Sequence, residues 1–271
     1  MKKSLMAIIL ATLMLTACSS EEKTEKEAAS TTKPETTTTV ATTAEPEVKE
    51  PRNAKVMLFG DSITDGFWLE GGYRTFLCNK LEENGYSQYV DFVGRKNSGS
   101  GYDGDHEGYT AYSIDALPGR SGITKLANSL LKKAEPDVVC LQIGTNDILS
   151  HYELDTVDAR LEVLVDKCLE YVPDDGMLFL ATLPCMDAND TTYIDATIFT
   201  PEYMDQCVND FNEKVKALVE KKKGEGARIE LADVNGVLAK EDLYDGVHPN
   251  EEGYKKLADF WYDKITAFIT E

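Results

Sequence analysis

Nearly continuous apolar runs alternate with amphipathic patterns along residues 54–270, and this alternation limits the possible folds more than any other feature. The runs rich in Val, Leu, Ile and Phe, which predict strands, are 54–60, 89–94, 137–144, 176–183 and 228–234. The predicted helices are at about 72–84, 121–134, 154–172, 202–223 and 250–270. Strands without a polar face, separated by helices, are typical of a parallel sheet covered on both sides. The pattern predicts an α/β fold: a flavodoxin-like three-layer α/β/α sandwich with a five-stranded parallel sheet.

The start of the chain has the composition of an export signal. Two lysines precede an apolar stretch from Leu5 to Leu15, which is too short to span a bilayer as a stable helix. It ends in Leu15-Thr16-Ala17-Cys18, which resembles a bacterial lipobox, in which the cysteine becomes the lipidated first residue of the mature protein. We expect residues 1–17 to be a lipoprotein signal peptide and Cys18 to be lipidated. The alternatives are an ordinary signal peptide with an incidental cysteine and a segment that is not cleaved and anchors the protein in the membrane.

Residues 18–51 are expected to form a disordered tether. Glu, Lys, Thr, Ala and Pro dominate there, so the segment cannot bury enough apolar surface to offset its chain entropy. The remaining residues, 52–271, have the size of one α/β domain with a substantial core. Together these segments predict an exported bacterial lipoprotein, tethered to the membrane at the cell surface by its N-terminal lipid.

The predicted domain is strongly acidic. The chain has 28 basic and 48 acidic residues, of which the first 51 positions hold 6 basic and 8 acidic ones. The predicted domain therefore has 22 basic and 40 acidic residues. Such a surface disfavours nucleic acid, anionic membranes and polyuronic substrates as partners. The alternative is that the acidity only keeps the domain soluble.

The cysteines do not suggest a metal or redox site. Five remain after Cys18, and their spacing matches neither a zinc motif nor a redox pair. The odd number argues against a complete disulfide framework and favours buried free thiols, although one bridge among Cys78, Cys185 and Cys207 remains open. We expect no metal and no other cofactor.

A candidate nucleophile follows the first predicted strand. The apolar run that ends at Phe59 breaks into Gly60-Asp61-Ser62-Ile63-Thr64. A serine at a tight turn after a buried strand is presented at the sheet edge, which is how acyl-transfer nucleophiles are commonly mounted. Gly-Asp-Ser is also common in ordinary turns, so the assignment of Ser62 as a nucleophile depends on support from other segments.

Two later segments supply the groups that such a serine needs. Asn146, in Gly144-Thr145-Asn146-Asp147, is an amide donor after the third predicted strand. In Asp245-Gly-Val-His248-Pro-Asn250, His248 is a candidate base, because imidazole has an unperturbed pKa near neutrality. Asp245 can hold the imidazole tautomer if a turn folds it back. The alternative is an aspartate capping the last helix beside an exposed histidine.

These segments resemble the conserved blocks of the SGNH (GDSL-type) hydrolase superfamily, over most of residues 54–260. With Gly71-Gly-Tyr-Arg74 and Phe92-Val-Gly94, the stretch Asp105-His-Glu-Gly108-Tyr-Thr-Ala-Tyr-Ser-Ile114 resembles acetyl-xylan esterases of carbohydrate esterase family 3. That family commonly has His-Glu-Gly-His-Ser-Gly, whereas Gly108 is followed here by Tyr109, Thr110 and Ala111. The resemblance implies the SGNH hydrolase fold, a Ser62–His248–Asp245 triad and an oxyanion hole made by the backbone N–H groups of Ser62 and Gly108 and the Asn146 amide.

The resemblance also implies the substrate. It predicts a serine esterase that removes O-acetyl groups from plant polysaccharide, with acetylated xylan or its oligosaccharides as the partner. Another ester, such as a lysophospholipid, a thioester or an acetylated cell-wall glycan, is the alternative enzyme reading. A surface carbohydrate-binding lipoprotein on an inactive hydrolase fold is the alternative of another class. The sequence does not determine the oligomeric state.

Several other residues have weaker signals. Asp61 and Asp147 are expected to brace their loops. His106 and His151 are expected to be solvated loop residues. The aromatic residues near these motifs are Trp68, Tyr73, Tyr109 and Tyr112. They could form a platform on which a sugar stacks, and ordinary packing explains them equally well.

Overall fold

A computed structural model describes residues 50–271. The predicted signal peptide, the lipidated Cys18 and nearly all of the predicted tether lie outside the described residues. The predicted domain, 52–271, lies within them.

All the predicted strands are present, and the α/β prediction is confirmed. The strands are β1 Ala54–Gly60, β2 Val90–Phe92, β3 Lys96–Asn97, β4 Asp105–Gly108, β5 Val138–Gln142, β6 Met177–Ala181 and β7 Ile229–Ala232. The five predicted strands pair in parallel in the order β2-β1-β5-β6-β7. Numbered among themselves, they have the 2-1-3-4-5 order of doubly wound flavodoxin-like sheets.

Within residues 50–271 the sheet is larger than predicted, because it has seven strands instead of five. The short strand β4 pairs in parallel with the last two residues of β1, and β3 pairs antiparallel with β4. Neither added strand contains an apolar run, since β3 is Lys-Asn and β4 is Asp-His-Glu-Gly. Hydrophobic patterning therefore had no means of detecting them.

The five long helices lie where the periodicity predicts them. The helices are α1 Ser62–Asp65, α2 Gly72–Glu83, α3 Thr124–Ala134, α4 Thr145–Leu149, α5 Val157–Tyr171, α6 Pro201–Gly224 and α7 Glu251–Thr270, with 3-10 turns at Leu154–Thr156 and Lys240–Asp242. The short helices α1 and α4 were not predicted. Each begins just after a strand of the sheet centre, and each carries a candidate site residue.

The sheet is buried on both faces, which gives the three layers. Along β1, Met57 and Phe59 belong to the core on the α3, α5 and α6 side, while Val56 and Leu58 belong to the core on the α2 and α7 side. This alternation follows from the two-residue period of a strand. Each large apolar side chain that is fully buried stabilises the fold by about 1.5–3 kcal/mol.

A glycine brings the two central strands together at the site. A Cβ atom on Gly60, the last residue of β1, would lie 2.2 Å from the Gln142 carbonyl oxygen at the end of β5. Only glycine permits this approach. It places the segments that follow β1 and β5, and therefore Ser62 and Asn146, side by side at the carboxyl edge of the sheet.

Two further features of the described residues bear on the sequence predictions. None of the described helices is long and apolar enough to cross a membrane. The described cysteines are free, so the bridge left open among Cys78, Cys185 and Cys207 is not formed. Burial raises the pKa of the Cys78 thiol to about 11 and that of the Cys140 thiol further.

Candidate active site

Ser62 is held at the start of a single helical turn. The Asp61 carboxylate caps this turn by accepting a hydrogen bond from the Ile63 N–H at 3.1 Å. The turn ends at Gly66, whose left-handed backbone (φ 85°) lets its N–H donate to the Ser62 carbonyl at 3.0 Å. Both ends of α1 are therefore fixed, and Ser62 has a defined position after β1.

The structure brings Ser62, His248 and Asp245 into one hydrogen-bonded chain. Ser62 Oγ lies 2.9 Å from His248 Nε2, and His248 Nδ1 lies 2.8 Å from Asp245 Oδ2. All three side chains are buried. An ionised carboxylate can only accept, so His248 Nδ1 donates to Asp245 and leaves Nε2 to accept the Ser62 hydroxyl proton. This is the arrangement that a general base needs.

The Asp245–His248 segment folds back on itself, as its spacing requires. Asp245 Oδ1 accepts hydrogen bonds from the backbone N–H groups of Val247 at 3.1 Å and of His248 at 2.8 Å. Gly246 supplies the left-handed turn residue, with φ 79°. Burial by itself would raise the pKa of Asp245, but its hydrogen bonds with His248 outweigh it, and the pKa lies below its ordinary value. Asp245 is therefore ionised and can orient the imidazole.

Two aromatic rings pack against the imidazole. The Phe67 ring lies 4.3 Å from the His248 ring between centroids, and the Tyr193 ring meets it edge-on at 5.4 Å. Together with Asp245, these rings restrict the rotation of the histidine.

Asn146 is oriented by a residue that the sequence did not single out. Its Oδ1 accepts a hydrogen bond from Arg120 Nη1 at 2.8 Å, and its Nδ2 donates to the Tyr112 carbonyl at 2.9 Å. Arg120 is itself held by a 2.8 Å hydrogen bond from Nε to Ser150 Oγ. Because the carboxamide oxygen faces the guanidinium, the second Nδ2 hydrogen remains for the pocket. No motif marks Arg120, which lies in a loop between the recognised segments.

The two flanking aspartates have the bracing contacts that were expected. Asp147 accepts hydrogen bonds from Arg160 Nη1 at 2.6 Å and from the Ile114 N–H at 3.0 Å, which ties α4 to the neighbouring loop and to α5. Asp61 differs in being incompletely satisfied, because its Oδ2 atom has no hydrogen-bond partner among the described residues. Burial raises the pKa of Asp61 to about 6.

The geometry argues against the oxyanion role predicted for Gly108. Its N–H donates to His106 Nδ1 at 3.1 Å, and the residue is not part of the pocket lining. Instead, Gly108 allows β4 to pack closely on α1, since a Cβ there would lie 2.3 Å from the Asp65 nitrogen. Ala111, three residues later, does line the pocket.

Ala111 is better placed than Gly108 for the role that the resemblance assigned to Gly108, which is to donate its backbone N–H to the oxyanion. Its φ of 65° lies in the left-handed region that favours glycine, which is the residue that the resembling family commonly has at this position. The backbone N–H groups of Ala111 and Ser62 donate no hydrogen bond to any other described residue. Ser62, Ala111 and Asn146 all line the pocket, so these two N–H groups and the Asn146 amide are candidate donors to an oxyanion there.

The expectation for His106 is wrong, because this histidine is fully buried on β4. Its Nε2 lies 3.0 Å from Ser98 Oγ. Burial, assisted by the positive charges of Arg74 and Lys96, lowers the pKa of His106 to about 3, so the ring is neutral. His151 is exposed and makes a 2.8 Å hydrogen bond with the Tyr203 hydroxyl.

The pocket at Ser62 is small and mostly apolar. Its volume is about 100 Å³, with Phe67, Leu149 and Val247 among its apolar walls. Since a water molecule occupies about 30 Å³ of liquid, this space suits a group of only a few heavy atoms. Larger clefts exist, and one of about 500 Å³ lies at the amino ends of β1 and β2, but its described lining contains no histidine.

Comparison with known proteins finds related sequences. The GDSL-like Lipase/Acylhydrolase family model matches residues 58–256. The "Multidomain esterase" of Ruminococcus flavefaciens is 35% identical over 236 residues, which cover 79% of this chain and 29% of that protein. This chain therefore spans less than a third of that relative's length.

Solved structures show the same fold. The Clostridium thermocellum family 3 carbohydrate esterase is 31% identical, with a TM-score of 0.63 over 80% of this chain and 98% of that one. A carbohydrate esterase family 3 protein from Talaromyces cellulolyticus has the same TM-score at 21% identity, over 79% of this chain and 97% of that one. Since the family model covers most of the described chain and the clostridial esterase is matched over nearly its whole length, this chain belongs to the GDSL-like lipase/acylhydrolase family of carboxylic ester hydrolases.

Proposed function

We propose that this protein is a serine esterase that removes O-acetyl groups from plant polysaccharide, with acetylated xylan as the preferred substrate. The observation that carries the proposal is the hydrogen-bonded chain from Ser62 through His248 to Asp245, opening into a pocket of about 100 Å³. Pockets for larger ligands measure about 300–1,000 Å³, so this one suits acetyl better than a long acyl chain.

Acylation of Ser62 is the first half of the reaction. As Ser62 Oγ attacks the ester carbonyl carbon, His248 Nε2 takes the hydroxyl proton, and ionised Asp245 stabilises the imidazolium that results. The carbonyl oxygen becomes an oxyanion and accepts hydrogen bonds from the Ser62 and Ala111 N–H groups and Asn146 Nδ2. One such donor is worth about 2.7–4 kcal/mol of transition-state stabilisation. The C–O bond then breaks, and the sugar hydroxyl leaves with the proton from His248.

Hydrolysis of acetyl-Ser62 is the second half. A water molecule gives its proton to His248 Nε2 and attacks the acetyl carbon, which forms a second oxyanion at the same donors. Collapse of this intermediate breaks the bond to Ser62 Oγ, releases acetate and returns the proton to the serine.

The carbohydrate part of the proposal is supported by relatives and by charge. The clostridial neighbour is a family 3 carbohydrate esterase, and the ruminococcal relative is an esterase. The excess of acidic residues, 48 against 28 basic ones, suits a neutral polymer better than a polyanionic one.

The test is ester hydrolysis across two substrate series. We expect acetate release from acetylated xylan and its oligosaccharides, and a steep fall in rate from C2 to C8 aryl esters. Ser62→Ala should abolish both activities. A preference for C8 or longer esters would refute the acetyl assignment, and equal rates in the wild-type protein and Ser62→Ala would refute the serine mechanism.

We also propose that Cys18 is lipidated and that the enzyme is anchored to the outside of the cell. The support is the lipobox-like Leu15-Thr-Ala-Cys18 after a short apolar stretch. Cys18→Ser should block processing and leave the signal attached, as mass spectrometry would show. A chain starting at Pro51 should be fully active and remain in the aqueous phase of a detergent partition. Loss of activity in that chain with the fold intact would give the tether a role that this proposal denies.

A further inference from the structure

An exposed pair of stacked aromatic rings lies beside the candidate active site. Trp68 and Tyr244 stack with ring centroids 4.3 Å apart and an interplanar angle of 13°. Trp68 is 40% exposed and Tyr244 is 58% exposed, so both offer ring surface to solvent. Of the other aromatic residues singled out in the sequence, Tyr73 is buried in the core and Tyr109 is occupied by hydrogen bonds with Glu107 and Arg95.

The two stacked residues are neighbours in the chain of residues at the candidate active site. Trp68 follows Phe67, which lines the pocket, and Tyr244 precedes Asp245. Phe67 in turn meets Tyr193, another pocket residue, edge-on at 5.8 Å between centroids. We call Tyr193, Phe67, Trp68 and Tyr244 the aromatic strip. The first two rings pack against the His248 imidazole, and the Tyr244 N–H donates to the His248 carbonyl at 2.7 Å, which holds the stacked pair near it.

The backbone at Trp68 is in a conformation that a bulky residue rarely adopts. Its φ is 60°, in the left-handed region, and its indole Nε1–H is held by a 2.8 Å hydrogen bond to the Pro249 carbonyl. Strained residues that stay partly exposed cluster at functional sites, because packing alone does not require them there. The strain and the exposure together indicate a ring that is presented for a ligand.

The chemistry of the strip suits a sugar ring. A pyranose has apolar C–H faces that stack on aromatic rings and hydroxyl groups around its edge that need hydrogen-bond partners. The hydroxyls of Tyr193 and Tyr244 make no hydrogen bond with any described residue, so both are available to such partners. An acyl chain would use the ring faces but would leave these hydroxyls unpaired.

We propose that the aromatic strip binds a neutral pyranose residue next to the one whose acetyl group enters the pocket at Ser62. This subsite rests on the proposed polysaccharide esterase function and extends it to the unacetylated part of the chain. It would make the enzyme favour acetylated oligosaccharides over acetyl esters of small alcohols.

The experiment compares KM for two acetyl esters in the wild-type protein and in strip variants. The substrates are an aryl acetate, which lacks the neighbouring sugar that Trp68 and Tyr244 would bind, and an acetylated xylo-oligosaccharide. The variants are Tyr244→Ala and Trp68→Asn, because asparagine tolerates the left-handed backbone at Trp68. Tyr203→Ala is the matched control, since Tyr203 is also exposed, at 38%, but lies outside the pocket lining and bonds His151.

We expect each strip variant to raise KM for the oligosaccharide about 3- to 10-fold more than KM for the aryl acetate, from the usual strength of aromatic stacking. The control variant should change neither constant. If kcat falls equally for both substrates, the strip only braces the Asp245–His248 loop and the proposal is overturned. It is also overturned if the variants impair C8 esters while the oligosaccharide is unaffected, because the strip would then bind acyl chains.

Failure of the underlying function gives a different result. A wild-type protein that cleaves the aryl acetate but releases no acetate from any acetylated oligosaccharide refutes the proposed function before any variant is compared. Binding of an unacetylated xylo-oligosaccharide to Ser62→Ala by calorimetry then tests the strip separately. Equal affinity in Ser62→Ala and Ser62→Ala/Tyr244→Ala refutes the subsite, and weaker affinity in the double variant supports it.

Discussion

Replacing Asp61 by asparagine should stabilise the protein at neutral pH and not at acid pH. Asp61 is fully buried and lies at the end of β1, next to Ser62. One carboxylate oxygen caps α1, whereas Oδ2 has no hydrogen-bond partner among the described residues. Asparagine retains the capping oxygen and removes the buried charge, so it isolates the cost of ionising this carboxyl.

The magnitude follows from the pKa. Burial is the largest cause of the shift from 3.8 to about 6. It outweighs the opposing effects of the Ile63 N–H, of His248 and of the nearby Thr145 hydroxyl, which makes no hydrogen bond of normal geometry with Asp61. A raised carboxyl pKa means that the folded state binds the proton more tightly than the unfolded state. Its contribution to stability is therefore complete below about pH 4 and is lost as the pH rises through about 6. The shift corresponds to about 3 kcal/mol.

Urea denaturation at several pH values tests this directly. We expect Asp61→Asn to increase the free energy of unfolding by about 3 kcal/mol at pH 8 and by less than about 1 kcal/mol near pH 4. In thermal unfolding, the gain at pH 8 should raise Tm by about 6–12 °C. Asp61→Ala should gain less, because loss of the cap costs about 1 kcal/mol.

The exposed Asp174 supplies a matched control. Asp174→Asn should change the stability by less than about 0.5 kcal/mol at either pH. A gain from Asp61→Asn that is equally large at pH 4 and pH 8, or a loss at pH 8, would refute the reasoning, since neither follows from removal of a buried charge.

Three further outcomes are expected. His248→Ala should lower kcat by a factor on the order of 10⁶, and Asp245→Ala by about 10⁴, with little change in KM, because the second variant loses orientation but keeps the base. A similar loss in both would contradict these roles. Arg120→Met should lower kcat about 10- to 100-fold, because the Asn146 amide loses the hydrogen bond that orients it. Arg120→Lys should keep part of the lost activity. Equal kcat in the two variants would show that the positive charge has no role. Gly108→Ala should lower the free energy of unfolding by about 1–3 kcal/mol, as measured by denaturation. Gly224→Ala is the control and should not lower it, because the space around Gly224 is open. Equal effects would refute the close packing of β4 on α1.

The sequence determines the layers of this fold and most of the candidate chemistry. Apolar runs such as 54–60 can be buried on both faces only in a covered parallel sheet, so the positions of the main strands and helices follow closely from periodicity. Polar residues that directly follow central strands must lie at the carboxyl edge of such a sheet. For this reason the sequence predicts Ser62 and Asn146 as site residues, whereas Asp245 and His248 are predicted from the spacing of a carboxylate and an imidazole.

Other features depend on contacts between distant residues. Strand β4 is a polar tetrapeptide without a hydrophobic pattern, and it is recognised as a strand only by its pairing with the end of β1.

The orientation of Asn146, the stack of Trp68 on Tyr244 and the small pocket have the same origin. Arg120 reaches Asn146 across 26 residues, and Tyr244 lies 176 positions beyond Trp68 in the chain. A motif specifies which chemical groups are available. Which hydrogen-bond partner each group has, and how much space remains beside it, are set only when the elements pack, because close packing and hydrogen-bond satisfaction are properties of the whole tertiary structure.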